Sequence, residues 1–132
     1  MKRILFFVVM ALLSITTNAQ SVVSVEGGKY PVYCEVVGYN TWGYGKVKVR
    51  LDMGRKQPNK EGYESIYDGE KKRKFNTMME VLDYMAKRGW TVHSSYIVTE
   101  GISKQNVLHF LMEKKVTNDS QISEGLELGN ED

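Results

Sequence analysis

The sequence predicts a single two-layer α+β domain, with a mostly antiparallel sheet of about four main strands and one helix packed on one face. Three observations carry that expectation. Lys46 to Met53 alternates charged and apolar residues without a break, the period of a strand with one face on a core and one in water. Met78, Val81, Leu82, Met85 and Ala86 recur at helical spacing, behind a Thr77 and Glu80 capping pair and ahead of Gly89. Trp90 to Val98 and Asn106 to Lys115 then alternate again around a turn holding Gly101, which reads as a closing hairpin. The expected order is strand, strand, small hairpin, helix, strand, strand.

The amino terminus is read as an address. Lys2 and Arg3 precede the apolar run Ile4 to Leu13, and Thr17-Asn18-Ala19-Gln20 follows with small residues at the cleavage positions. The apolar run falls well short of the ~20 residues a spanning helix needs, so residues 1–19 are expected to be a signal peptide. No second such run appears, so no transmembrane segment is expected in the mature chain. Cleavage after Ala19 leaves 113 residues (132 − 19), enough for one core spanning 20–116. Losing Lys2 and Arg3 lowers the 18 basic residues to 16, equal to the 16 acidic ones. The expected destination is the periplasm, the cell surface or the medium, which argues against a nucleic-acid partner. Cys34 is the single cysteine, so packing rather than an intrachain disulfide must hold the domain.

Along the body, Val32 to Val37 is a strand with Pro31 at its start, where proline is tolerated. Val32, Cys34 and Val36 share one face; Tyr33, Glu35 and Val37 share the other. A turn-rich connection, Gly38 to Gly45, leads to the alternating strand, and the two should pair as an antiparallel hairpin. After a polar loop from Gly54 to Gly62, Tyr63 to Phe75 reads as a small hairpin turning at Asp68-Gly69. The helix is expected from about Thr77 to Arg88, with Gly89 as a left-handed stop. In the last hairpin, Trp90, Val92, Tyr96 and Val98 should face the helix with Leu108, Phe110 and Met112. His93, Ile97, Val107, His109 and Leu111 should face away. From Thr117 the chain is acidic and lacks apolar periodicity, so 117–132 is expected to be a disordered tail.

The run FNTMMEVLDYMAKRGWTV, followed by QNVLHFLMEKK, resembles an uncharacterised group of small exported proteins typical of Bacteroides-type bacteria. The resemblance implies export, a strand-rich front half and a helix, Gly-Trp, hairpin unit. The group has no assigned activity, so no catalytic or binding residue follows from it.

The residues point to a non-catalytic binding or interaction module in the periplasm or at the cell surface, with a protein or glycan partner. Two places are candidates. Tyr39, Asn40, Trp42 and Tyr44 put three rings and an amide on a glycine-hinged loop, suited to stacking and hydrogen bonding. His93, Ile97, Val107, His109 and Leu111 form the sheet face turned from the helix, whose apolar strip is expected to be covered by the inserted segment or by a second copy in a sheet-to-sheet homodimer. The alternative is a small hydrolase-type or metal-dependent enzyme using His93 and His109. A turn centred on Gly101 would set these imidazoles opposite one another, with Glu35 or Glu113 as a third group. The spacing is not a metal-ligand motif, and no metal or cofactor is expected. Cys34 and the methionines Met78 and Met85 are read as core. Lys71 to Lys74, with Arg55, Lys56 and Lys60, form either a basic patch for acidic glycans or headgroups, or a solvated edge that resists pairing.

Overall fold

The computed structural model describes residues 26–39, 46–55, 62–102 and 105–130. The expected signal peptide and the loop residues Asn40, Trp42 and Tyr44 lie outside these residues, as do Lys56 and Lys60.

Strands β1 (Tyr30–Tyr39) and β6 (Gln105–Val116) form the axis of the sheet, antiparallel from Tyr30 opposite Val116 to Tyr39 opposite Val107. β2 (Lys48–Asp52) pairs with the other edge of β1, as the alternating pattern predicts. β5 (Thr91–Glu100) closes the far side against β6. The small hairpin, β3 (Glu64–Asp68) and β4 (Lys71–Lys72), joins the same sheet, giving the order β4-β3-β2-β1-β6-β5. Its two-residue loop is Gly69-Glu70, one position later than expected, because Asp68 is itself paired with Lys71. A last strand, β7 (Glu127–Asn130), pairs along β3. All named pairings are antiparallel, so the α+β class with one helix holds, but the described sheet has seven strands rather than about four.

Helix α1 (Met78–Ala86) lies on one face. Thr77 caps it by accepting the Glu80 N–H at 3.2 Å. The Glu80 carboxylate reaches back one residue further than in a standard capping box, accepting the Asn76 N–H at 2.8 Å. At the other end Gly89 adopts φ 88°, and the Gly89 and Trp90 N–H groups donate to the Ala86 and Met85 carbonyls at 3.0 and 3.2 Å. That is the Schellman pattern, which reverses the chain and drives Trp90 under the helix beside Met85. The core between helix and sheet contains Cys34, Val36, Val49, Leu51, Phe75, Val81, Met85, Trp90 and Met112. Gly38 brings the layers close: a Cβ there would run into the Met78 sulfur.

The acidic segment after Thr117 is ordered where it is described, contrary to the sequence expectation. Asn118 caps a short 3-10 turn at Asp119–Gln121, Leu126 is buried, and Ile122 and Leu128 pack on the core. Arg88 donates to the Gly125 carbonyl at 2.5 Å, and Lys114 to the Gln121 carbonyl at 2.7 Å. Strand pairing with β3 supplies what so few apolar residues could not supply alone.

Candidate functional site

Cross-strand partners share a face, so the register tells which side chains meet on the side away from the helix. Across that face Arg50, Val37, His109 and Tyr96 form one row, and Asp52, Glu35, Leu111 and Ser94 the next. Tyr39 lies beyond the first row, opposite Val107 and Lys48.

The register of the last hairpin differs from the expected one in two ways. Glu100 pairs with Gln105, so the turn is centred beyond Ile102 rather than on Gly101. A bulge at His93 then shifts the register between Val92 and Ser94. His109 therefore faces Tyr96, not His93, and Ile97 turns to the helix side opposite Leu108. Tyr96, expected in the core, takes the place expected of Ile97 on the outer face and is 49% exposed. Of the apolar strip expected on this face, Ile97 leaves it, while Val107 is buried and Leu111 half-buried there.

Each histidine is held by its own carboxylate. His109 Nδ1 lies 3.2 Å from Glu35 Oε1, and His93 Nδ1 lies 3.5 Å from Glu113 Oε2. Tyr96 stacks on the His109 ring with centroids 4.6 Å apart and planes 11° apart. Its hydroxyl donates to the same Glu35 Oε1, so one carboxylate oxygen ties three strands together. That hydrogen bond raises the Tyr96 phenol above its ordinary value of 10.0, with burial and the charge of Glu35 adding to it. His109 is 8% exposed, and its Nε2 is buried with no hydrogen-bond partner among the described residues.

Beside this cluster the Arg50 guanidinium lies over the rings of Tyr39 and Tyr63 at 5.3 and 5.9 Å. Burial raises the Tyr63 phenol, and the charges of Glu35 and Asp52 add to that. On the opposite flank Tyr33, 46% exposed, meets His93 edge-on at 5.9 Å. The face thus carries exposed rings flanked by carboxylates and imidazoles.

From sequence alone Glu35 is a possible third metal ligand and Tyr96 a core residue, and nothing in the local pattern points to Arg50 or Tyr63. The available signal was the polar run Thr91 to Ser95, where Val92 alone upholds strict alternation before Tyr96. Among the described residues no group of three His, Cys, Asp or Glu side chains is placed to hold a metal ion.

Cys34 lies on the helix side, 2% exposed. Burial, helped by the charge of Asp52, pushes its thiol up to about 12. At pH 8 only ~10⁻⁴ of it is thiolate, so disulfide reagents should leave the native protein untouched and titrate one thiol in concentrated guanidinium. Prompt reaction of the native protein would contradict that burial.

Among the described residues no helix is long and apolar enough to cross a membrane. No family model matches the chain, and neither the curated proteins nor the solved structures contain a match.

Proposed function

We propose that this is an exported, non-catalytic binding module that uses the helix-free face of its sheet to engage a glycan. The observation that carries the reading is the pair of half-exposed rings, Tyr33 and Tyr96, set among the Glu35, Glu113, His93 and His109 side chains. Sugar rings present an apolar face for stacking and hydroxyls around the rim, and this platform offers both kinds of contact. Tyr96 is pre-organised: the stack on His109 and the bond to Glu35 hold its ring before any ligand arrives. Asn40, Trp42 and Tyr44 follow Tyr39 in the chain and belong to the same proposal.

The alternative, a small hydrolase-type or metal-dependent enzyme using His93 and His109, fits the geometry less well. The two imidazoles rest on separate carboxylates, and the Nε2 that a general base would use on His109 is enclosed.

Affinity electrophoresis through gels containing xylan, mannan or amylose tests the reading. At least one of these neutral polysaccharides should retard the protein; Tyr33→Ala should weaken that binding about tenfold with melting unchanged, and Tyr96→Ala should weaken it about tenfold with a small fall in melting temperature, because it also removes the stack on His109 and the bond to Glu35. No retardation by any of the three, or retardation indifferent to both substitutions, would reject the platform.

A further inference from the structure

The sheet ends on one side in β5, and among the described residues no strand pairs with its outer edge. The opposite end is different. There β4 is only two lysines long, Lys71 and Lys72, and β7, which stands off the main order, has four residues. Brevity and lysines are common devices that keep a sheet edge from pairing with another chain. β5 has neither: it runs for ten residues, contains no Lys, Arg or Pro, and is exposed at every position but half-buried Val98. Its one protective feature is the bulge at His93, which leaves residues 94–100 as regular strand.

That stretch is complementary to a reversed copy of itself. Its midpoint is Ile97, 62% exposed and the most exposed large apolar side chain in any described strand. In an antiparallel pairing about a two-fold axis at Ile97, residues that face one another share a side of the sheet. On the helix side Ile97 meets its own copy and Ser95 meets Thr99; on the outer side Tyr96 meets Val98. Pairs of β-branched, aromatic and hydroxyl residues of this kind stabilise neighbouring strands. His109 covers one face of the Tyr96 ring from β6, so the other ring face is turned toward the open edge. The polar contacts of Thr91, His93, Tyr96 and Thr99 all run inward, to Glu113, Glu35 and Asn106. Glu100 is the one carboxylate of the strand. Reversal holds the two copies of Glu100 ~20 Å apart, where a parallel copy would set them side by side.

We propose that β5 pairs with β5 of a second copy of this chain, antiparallel about Ile97, so that two sheets join edge to edge. This differs from a packing of outer face on outer face, and it does not rest on the glycan reading, since it needs no sugar. A sugar on the open face of Tyr96 and a second copy exclude one another there. Seven residues a side is about a third of the number in a standard interface, so the dimer is reversible, with a dissociation constant of about 10–100 µM.

Ile97→Cys provides the test, because the native cysteine, Cys34, is buried. Across the axis the two introduced thiols sit on Cα atoms about 4.5–5.5 Å apart, within disulfide reach. Mild oxidation should link Ile97→Cys into a dimer at least about tenfold faster than Ser95→Cys or Thr99→Cys, whose copies lie ~14 Å apart. Sedimentation velocity should show the wild-type protein passing from monomer to dimer as its concentration rises. Ile97→Lys puts two cations on the axis at an exposed position, and should weaken the dimer at least about tenfold with the circular dichroism spectrum unchanged. Tyr33→Lys, on the outer face of β1, should stay within about twofold. A wild-type monomer at about 500 µM would overturn the edge contact. So would equal oxidation rates at the three cysteine positions, which mean random collision, or loss of the dimer in Tyr33→Lys, which means face-to-face packing. Amides of residues 94–100 that all stay protected from hydrogen exchange at about 1 µM would assign the edge to the chain's own residues before Glu26, and reject the second copy.

Discussion

A chain cut after Val116 is expected to lose its cooperative unfolding transition, although the piece removed is acidic and carries only three large apolar side chains. Leu126 is buried, and Ile122 and Leu128 pack against the main core. At ~1.5 kcal/mol for buried Leu126 and somewhat less for each of the two partly buried side chains, their loss amounts to about 3–4 kcal/mol. The cut also strips the partner strand from β3 over Glu64 to Tyr67, and takes the carbonyls that Arg88 and Lys114 reach. Against the lower part of the usual range of about 5–15 kcal/mol, that sum leaves little or nothing. Far-ultraviolet circular dichroism during heating checks it: the truncated chain should melt tens of degrees lower or show no transition. A melting temperature within a few degrees of the full chain would mean that β7 adds no stability. Leu126→Ala alone should cost about 2 kcal/mol, separating the packing term from the strand pairing.

The second large effect is expected at Trp90. Its side chain is fully buried in the cluster with Met85, Phe75 and Met112, at the junction of helix, sheet and the following strand. Trp90→Ala should destabilise by about 3–5 kcal/mol, because the cavity is walled by regular structure that cannot collapse into it. Part of the loss is local: Trp90 follows the positive-φ Gly89, and its packing against Met85 locks the Schellman turn. The indole N–H is buried without a partner among the described residues, so Trp90→Phe removes an unsatisfied donor as well as volume. It should therefore cost clearly less than the alanine change. Urea denaturation followed by circular dichroism reads both variants; a loss under about 1 kcal/mol for Trp90→Ala would displace Trp90 from the centre of the core.

The local signals in the chain were accurate where each residue's role depends on its near neighbours. Thr77, Glu80 and Gly89 marked the helix ends, and Lys46 to Met53 marked a half-buried strand, because caps and alternation are short-range properties. The site was less legible. Placing His93, Ile97 and Tyr96 required the turn centre and the bulge, and one extra residue in β5 moves every following side chain to the other face. Of the residues proposed for the outer face, only Ile97 left it; His109, Val107 and Leu111 stayed because β6 runs without a break against β1, and His93 remains beside Tyr33 and Glu113.

By itself, the sequence determined the class of the fold, the helix with its two ends, the antiparallel pairing of β1 with β2, and the burial of Cys34 and Trp90. Each follows from periodicity, capping chemistry or apolar content within a window of a few residues. Only the tertiary structure decided that the acidic segment closes the sheet as β7, and that Glu35 gathers Tyr96 and His109 onto one oxygen. It also decided that Lys46 and Lys48 join Lys72 and Lys74. The physical reason is common to all three. These contacts join residues far apart in the chain, and their geometry depends on strand register, which no local pattern encodes.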